Sequence, residues 1–561
     1  MFANGRIWLA FLIVFISSTC ALVIELVAGR IMAPYIGVSL YTWTSIIGIV
    51  LAGMSLGNYL GGVVADRRAS RSTLALIFFA SGLSSAGILA ATTAVTSLNV
   101  QMPLIPKIVF FTTVIFFLPS VVLGMVSPVV IKLALQDLKR TGNTVGSIYA
   151  VSTVGSIFGT FLTGFWLISW LGTRTIVWLV ALVLLAMGAA VVGLKLGETL
   201  LAGGAALWIN NSGLLRWIPA ESYNQLLAGA GLATAAIIPL GIVGACLFTK
   251  EAGAASANLA VLAYGLIFAG FQAGVYAAPC DVESNYFCIR TSEDVVDGHK
   301  VRALVLDHLV HSYVSLDDPK VLGYGYERVY AELTEYYAAE HKALDTLFIG
   351  GGGYTFPKYV EAVYPYATVD VIEIDPAVTK AAHDYLNLSY DTRIRSFNQD
   401  ARAFLLEWQD PKKYDIVYGD AFNDLSVPYH LTTVEFDRMI AERLKDDGMY
   451  VANVIDKYEG GEFMKAFLNS LREVFPHVYL TAQGEAWRFP SANTYVLVAS
   501  RKPLDQERFA QVVGKNGSTL TKVLPQDELA EYLASGRALT LSDDFVPVDQ
   551  LVAPLFVERG R

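Results

Sequence analysis

The chain has 561 residues, of which 54% are hydrophobic and 16% charged, and its formal net charge is −9. These values exclude a disordered chain and an ordinary soluble enzyme. The charge is unevenly spread. Residues 1–280 hold 6 of the 50 acidic and 13 of the 41 basic residues, a net of +7, whereas residues 281–561 carry −16. Two unlike halves are joined, one with the character of a membrane segment and one with that of a soluble acidic domain.

A helix that crosses a bilayer needs about 20 mostly apolar residues. The first half offers about eight such runs, near 7–29, 41–64, 73–95, 107–134, 145–169, 174–195, 227–248 and 256–278. The first run is too long for a signal-peptide core and lacks a cleavage site, so it reads as a spanning helix. Pro119 and Pro128 are expected to kink the fourth run. Arg67, Arg68 and Arg71 follow the second run, and Lys132, Lys139 and Arg140 follow the fourth. The positive-inside rule then makes these loops cytoplasmic. An even number of spans puts the second half in the cytoplasm as well, with the first half in the inner (cell) membrane. Glu25 lies inside the first run, where an acid is costly; it is read either as a functional site or as a helix-pairing group. The stretch GNYLGGVVADRR (57–68) resembles the loop between spans two and three of major-facilitator transporters.

The cysteines are Cys20, Cys246, Cys280 and Cys288. Their spacing matches no metal finger, and no metal is expected. Cys280 and Cys288 could meet at the junction of the halves, but free thiols are the preferred reading, which suits a reducing compartment.

The second half opens with period-two runs, FCIRTSE, VRALVLD and LVHSYVSL, which predict a small antiparallel sheet within 281–340. A helical pattern follows at 329–341. From 341 to 561 an α/β pattern takes over. The buried-type strand LDTLFIG (344–350) runs directly into Gly350, Gly351, Gly352 and Gly353. A helix at 356–365 and the strand TVDVIEID (368–375) come next, the latter ending in Glu373, Ile374 and Asp375. Strand, Gly loop, helix, strand and acid in this order describe a nucleoside-binding unit. Glycines let the ligand approach the backbone, and the acid accepts bonds from ribose hydroxyls. Further on, RIRSFNQDARAFL (393–405) sets Asp400 and Ala401 between a strand and a helix. KKYDIVYGDAFND (412–424) is a strand ending in Asp420 and Asp424. Ligands bind beyond the carboxyl ends of such strands, so these acids belong to one crevice. The runs at 448–455, 477–482 and 494–500 are expected to complete a mostly parallel sheet.

The segments FIGGGGYTF (348–356), VIEIDP (371–376), QDAR (399–402) and the stretch from YDIVYGDAF to LTTVEF (414–436) resemble spermidine synthase and its aminopropyltransferase relatives. The whole chain resembles the bacterial membrane-fused spermidine synthase-like proteins, through ALVIELVAGRIMAPYIG (21–37) and SDDFVPVDQL (542–551). The resemblance implies an α-helical membrane bundle followed by a Rossmann-like domain with a small β-sheet subdomain. It implies transfer of an aminopropyl group from decarboxylated S-adenosylmethionine to a diamine such as putrescine, with release of 5′-methylthioadenosine. Carried over, Gly350 to Gly353, Glu373, Ile374, Asp400, Ala401 and Asp420 bind the nucleoside donor. Asp420, Asp424, His311 and Tyr326 serve catalysis, and Tyr286 and Tyr324 contact donor or acceptor. The implied partners are an amine substrate and the lipid bilayer, with a possible homodimer and no nucleic acid.

The chemistry of amine transfer agrees with this set. An alkyl amine has a pKa of about 10.4 and arrives protonated, so a carboxylate must bind it and take its proton.

Two positions depart from the family. Its loop reads Gly-Gly-Gly-Asp-Gly, and that Asp binds the donor's amino group; here Gly353 and Tyr354 stand in the last two places. Its hairpin pattern Asp-Gly-x-x-Gln reads Asp307, His308, Leu309, Val310, His311. Intact S-adenosylmethionine is therefore an alternative ligand, either cleaved to methylthioadenosine or used for methyl transfer. His311 reads equally as a base, a carboxylate contact or a buried imidazole. A third reading is a polyamine transporter or sensor regulated by a nucleoside-binding domain.

Overall fold

The computed structural model describes residues 7–98, 102–135, 141–192, 239–241, 274, 276, 279–421, 427–514 and 519–558. The chain divides into two units, Met1–Pro279 and Cys280–Arg561.

Among the described residues of the first unit, six helices are long and apolar enough to cross a membrane. They are α1 (Ile7–Ile36), α2 (Leu40–Arg68), α3 (Arg71–Ser97), α4 (Leu104–Ala134), α5 (Thr141–Leu171) and α6 (Thr173–Val191). They coincide with the first six expected runs; apart from residues 239–241, 274 and 276, the last two lie outside the described residues. Small residues let these helices approach closely, as in membrane helix pairs. A Cβ at Gly57 of α2 would stand 2.1 Å from the Val121 carbonyl oxygen of α4, and one at Gly61 would stand 2.7 Å from Met125. Gly155 and Gly159 similarly admit the α1 backbone at Phe15 and Thr19, and the Thr19 hydroxyl donates to the Gly155 carbonyl at 3.0 Å. Gly82 of α3 admits the α6 backbone at Ala181. The fourth helix breaks at Met125, between its two expected prolines. Pro128 explains this position, because its ring cannot accommodate or bond the carbonyl of Gly124, four residues back.

The second unit holds two sheets. The smaller is antiparallel, in the order β1 (Val282–Glu283), β2 (Cys288–Val296), β3 (His299–Leu306), β4 (Leu309–Ser315). Its register shifts between Leu304 and Val305, which pair with Ser312 and Val310, so His311 is the extra residue of a bulge. Cys280 and Cys288 are joined by a disulfide, which corrects the expectation of free thiols. The β1–β2 pairing sets Glu283 beside Cys288 and thereby brings Cys280 within reach.

Helix α7 (Gly325–Ala338) leads into the larger sheet. It begins four residues before the expected start, placing Tyr326 and Glu327 in its first turn. Then follow β5 (Leu344–Ile349), α8 (Thr355–Val363), β6 (Ala367–Ile372), α9 (Pro376–Tyr385), β7 (Arg395–Phe397), α10 (Ala401–Glu407), β8 (Tyr414–Gly419), α11 (Val434–Arg443) and β9 (Leu444–Asp456). The last strands are β10 (His477–Gln483), β11 (Asn493–Ser500) and β12 (Thr521–Val523). The spatial order is β12-β10-β11-β9-β8-β5-β6-β7. From β7 to β9 all neighbours are parallel, whereas β11 runs against β9 and β10, and β12 against β10. The sheet is therefore mixed rather than simply parallel. Alternating apolar strands look alike in either direction, so only the connections decide it.

The strand order reverses between β5 and β8, and a crevice at such a reversal is where open α/β sheets bind ligands. Stacked rings of Phe348 on β5 and Tyr418 on β8, 4.4 Å apart and both buried, hold the two strands together there. Each such ring contributes about 2 kcal/mol by burial.

Candidate active site

The carboxyl ends of β8, β5, β6 and β7 stand side by side, and each is followed by an expected site residue. In order they are Asp420, the loop Gly350–Gly353, Glu373 with Ile374, and Asp400 with Ala401. Strands lie about 4.8 Å apart, so this row spans about 14 Å.

The glycine loop is built for close approach. Gly350 has φ +98°, and a Cβ there would stand 2.3 Å from the Asp420 carbonyl oxygen. Gly352 has φ +47°. Tyr354 ends the turn at φ 55°, its ring buried and its hydroxyl donating to the Ser396 hydroxyl at 3.0 Å. The turn is thus pinned to the strands on either side.

Glu373 is buried at the end of β6. Its Oε2 accepts the N–H groups of Gly351 at 2.8 Å and Gly352 at 3.1 Å, and its Oε1 accepts that of Asp375 at 3.0 Å. Burial pushes its pKa up, and these three N–H donors pull the other way. Ile374 is half-buried beside it. Asp400 caps α10 through the Ala403 N–H at 2.9 Å and meets His430 Nε2 at 2.8 Å. Burial opposes its charge, but these two partners hold it below the ordinary carboxylate range. Ala401 is buried in the first turn of that helix.

At the other end of the row, Asp420 is clamped on both oxygens. Asn453 of β9 donates to Oδ1 at 2.7 Å and the Tyr326 hydroxyl donates to Oδ2 at 3.0 Å. Burial raises its pKa despite both bonds. Tyr326 stacks on Tyr324 at 5.6 Å and meets Tyr330 edge-on at 5.4 Å. Tyr324 itself donates to the Val310 carbonyl at 2.7 Å. These rings form an aromatic wall beside the carboxylate, suited to the methylenes of an alkyl amine.

Two residues absent from the sequence reading complete this end. Asn453 sits in an apolar strand, and its polar side chain inside GMYVANVI was the one available signal. Glu327 is buried and accepts the Tyr324 N–H at 3.0 Å. Burial pushes its pKa to about 8, and the nearby charge of Asp420 adds to this.

Other expected residues stand apart from the row. The His311 ring packs 6.5 Å from Phe287 in the smaller sheet. Among the described residues its buried Nε2 has no hydrogen-bond partner. Burial, with His308 adding, lowers its pKa to about 4, so the imidazole is neutral at pH 7. Tyr286 is 42% exposed and feels the charges of Asp375, Asp400 and Glu373, which places it near the Glu373–Asp400 end of the row. Asp424 lies outside the described residues.

The position that would carry the family's loop acid is filled from outside. Ser312 of β4 accepts the Gly353 N–H at 2.9 Å, and a Cβ on Gly353 would stand 2.7 Å from Ser312 Cβ and 2.8 Å from Val314 Cγ2. Glycine and serine are matched here, and the acid has no room.

Residues 330–498 match the family model described as spermine/spermidine synthase domain. A probable polyamine aminopropyl transferase of Bifidobacterium longum is 29% identical over 139 residues, covering 25% of this chain and 30% of that protein. A polyamine aminopropyltransferase of Vibrio vulnificus is 35% identical over 108 residues, covering 19% and 36%. The chain thus spans about a third of the length of these curated relatives. The crystal structure of a probable spermidine synthase from Corynebacterium glutamicum is similar with a TM-score of 0.40 and 21% identity, over 46% of this chain and 94% of that one. The chain therefore carries a spermine/spermidine synthase domain in its second unit, behind a run of apolar helices consistent with a membrane fusion.

Proposed function

We propose that the second unit transfers an aminopropyl group from decarboxylated S-adenosylmethionine to a diamine and releases 5′-methylthioadenosine. The observation that carries this reading is the ordered row of Asp420, glycine loop, Glu373 and Asp400, with Asp420 held between Asn453 and Tyr326. In this reading Glu373 takes the ribose and Asp400 the base. The Gly350–Gly353 loop, with Ile374 and Ala401, lines the nucleoside pocket. That orients the sulfonium toward Asp420, and the aromatic wall packs the alkyl chain. Asp420 takes a proton from the arriving ammonium; its raised pKa makes it a better base than an exposed carboxylate. The freed nitrogen attacks the carbon next to sulfur, the carbon–sulfur bond breaks, and its electron pair stays on the neutral thioether. No charge has to be created on the leaving group, so alignment and exclusion of water supply most of the acceleration.

The test is incubation of the purified protein with decarboxylated S-adenosylmethionine and putrescine, followed by mass spectrometry. Spermidine and methylthioadenosine are expected in equal amounts. Absence of both would sink the proposal.

A second reading is favoured by the filled position at Gly353. Without an acid for the donor's amine, intact S-adenosylmethionine fits the same crevice. Adenosylhomocysteine as product would identify methyl transfer, and methylthioadenosine without a polyamine would identify cleavage.

We place the second unit on the cytoplasmic side of the inner membrane, because the basic loops follow the second and fourth spans. A homodimer is part of the same proposal.

A further inference from the structure

The Cys280–Cys288 disulfide lies outside the chemistry described so far, yet the loop it closes reaches the nucleoside end of the crevice. Ser284, within that loop, donates its hydroxyl to Asp375 Oδ2 and accepts the N–H groups of Tyr286 at 3.0 Å and Phe287 at 2.8 Å. Asp375 in turn donates its N–H to Glu373 and caps α9 through the Ala377 N–H at 2.9 Å. A continuous chain of contacts therefore runs from the disulfide, through Ser284 and Asp375, to the proposed ribose acid. Tyr286 sits in the same loop and in the field of Glu373, Asp375 and Asp400. Elsewhere the loop is held by the two-residue strand β1, paired to β2 at the sheet edge, by the Asp281 N–H on the Ile289 carbonyl at 2.8 Å, by the Thr291 N–H on the Asp281 carboxylate at 2.7 Å and by packing of Val282 and Phe287.

We propose that this disulfide is a redox-sensitive clamp on the nucleoside crevice. The inference rests on the reading of the crevice as a nucleoside site. Oxidised, the cross-link holds Ser284 on Asp375 and presents Tyr286 to the crevice. A small dithiol reduces it by thiol–disulfide exchange: the sulfur–sulfur bond breaks, Cys280 and Cys288 each gain a proton and an electron, and the dithiol becomes a disulfide. The loop then regains the chain freedom that the cross-link removed, and the crevice must order it again on each binding event. On the cytoplasmic side proposed above, a disulfide is characteristically transient and redox-sensing.

The experiment titrates 5′-methylthioadenosine into the purified full chain by calorimetry, before and after dithiothreitol, with thiol counting by mass spectrometry. Reduction is expected to weaken binding by about tenfold. Cys288→Ser should match the reduced protein and ignore dithiothreitol. Ser284→Ala, which keeps the cross-link, should weaken binding in the oxidised state and shrink the response to reduction. Equal affinity in both states, with the new thiols confirmed, would overturn the clamp while leaving the nucleoside site standing. No binding in either state would overturn both.

Discussion

At Asp420 one carboxylate meets two neutral donors, from an asparagine 33 residues later and a tyrosine 94 residues earlier. Neither donor neutralises it, so it stays available to a cationic amine. Replacing Asp420 with Asn should lower kcat by about 10²- to 10⁴-fold. The dissociation constant of methylthioadenosine should change little, because the proposed ribose and base acids, Glu373 and Asp400, follow other strands. Steady-state rates and calorimetry on the same preparation check both halves. A second buried acid behaves differently. Asp437 of α11 is buried with both carboxylate oxygens lacking hydrogen-bond partners among the described residues. Burial raises its pKa well above the usual value, and the nearby charge of Glu435 adds to this. An acid whose folded pKa is raised holds its proton more tightly when folded. Its contribution to stability is present at low pH and lost as pH rises from about 4, its unfolded value, through its folded one. Asp437→Asn should therefore raise Tm at pH 8 by about 2–4 °C and leave it nearly unchanged at pH 4. Equal shifts at both pH values would show that titration is not the cause.

Among the elements, the glycine loop and strand β4 constrain each other. Restoring the family acid as Gly353→Asp should not create a better amine site, since Ser312 and Val314 already occupy its volume. The substitution should raise the KM for the donor and lower Tm by several degrees, whereas Gly353→Ala should show a smaller loss of the same kind. An unchanged Tm with a lowered donor KM would show that β4 yields. The glycine loop and Glu373 were legible in the sequence because they lie on consecutive strands of one βαβ unit, where spacing stands in for geometry. Glu327 and Asn453 were not legible. They reach Asp420 only because α7 and β9 pack beside β8, and no local periodicity encodes that neighbourhood. The extra residue at His311 was hidden for a related reason: a bulge is visible only against the partner strand.

For the whole molecule, charge and hydropathy divide the chain after residue 280, and the structure separates Met1–Pro279 from Cys280–Arg561. The proposed cytoplasmic placement of the second unit is tested with protease. Protease added to inverted inner-membrane vesicles should release the C-terminal unit, while protease added to intact spheroplasts should leave it. The reverse pattern would move the unit to the oxidising side and make the disulfide a permanent brace. By itself the sequence determined the two-part architecture, the six described apolar helices and the order of the glycine loop and the acids along the strand ends. Each of these is written in composition or in short-range spacing. The tertiary structure alone decided the clamp on Asp420, the filled place beside Gly353 and the Cys280–Cys288 link. These contacts depend on strand order and register, which long-range packing selects and which a run of alternating residues leaves open.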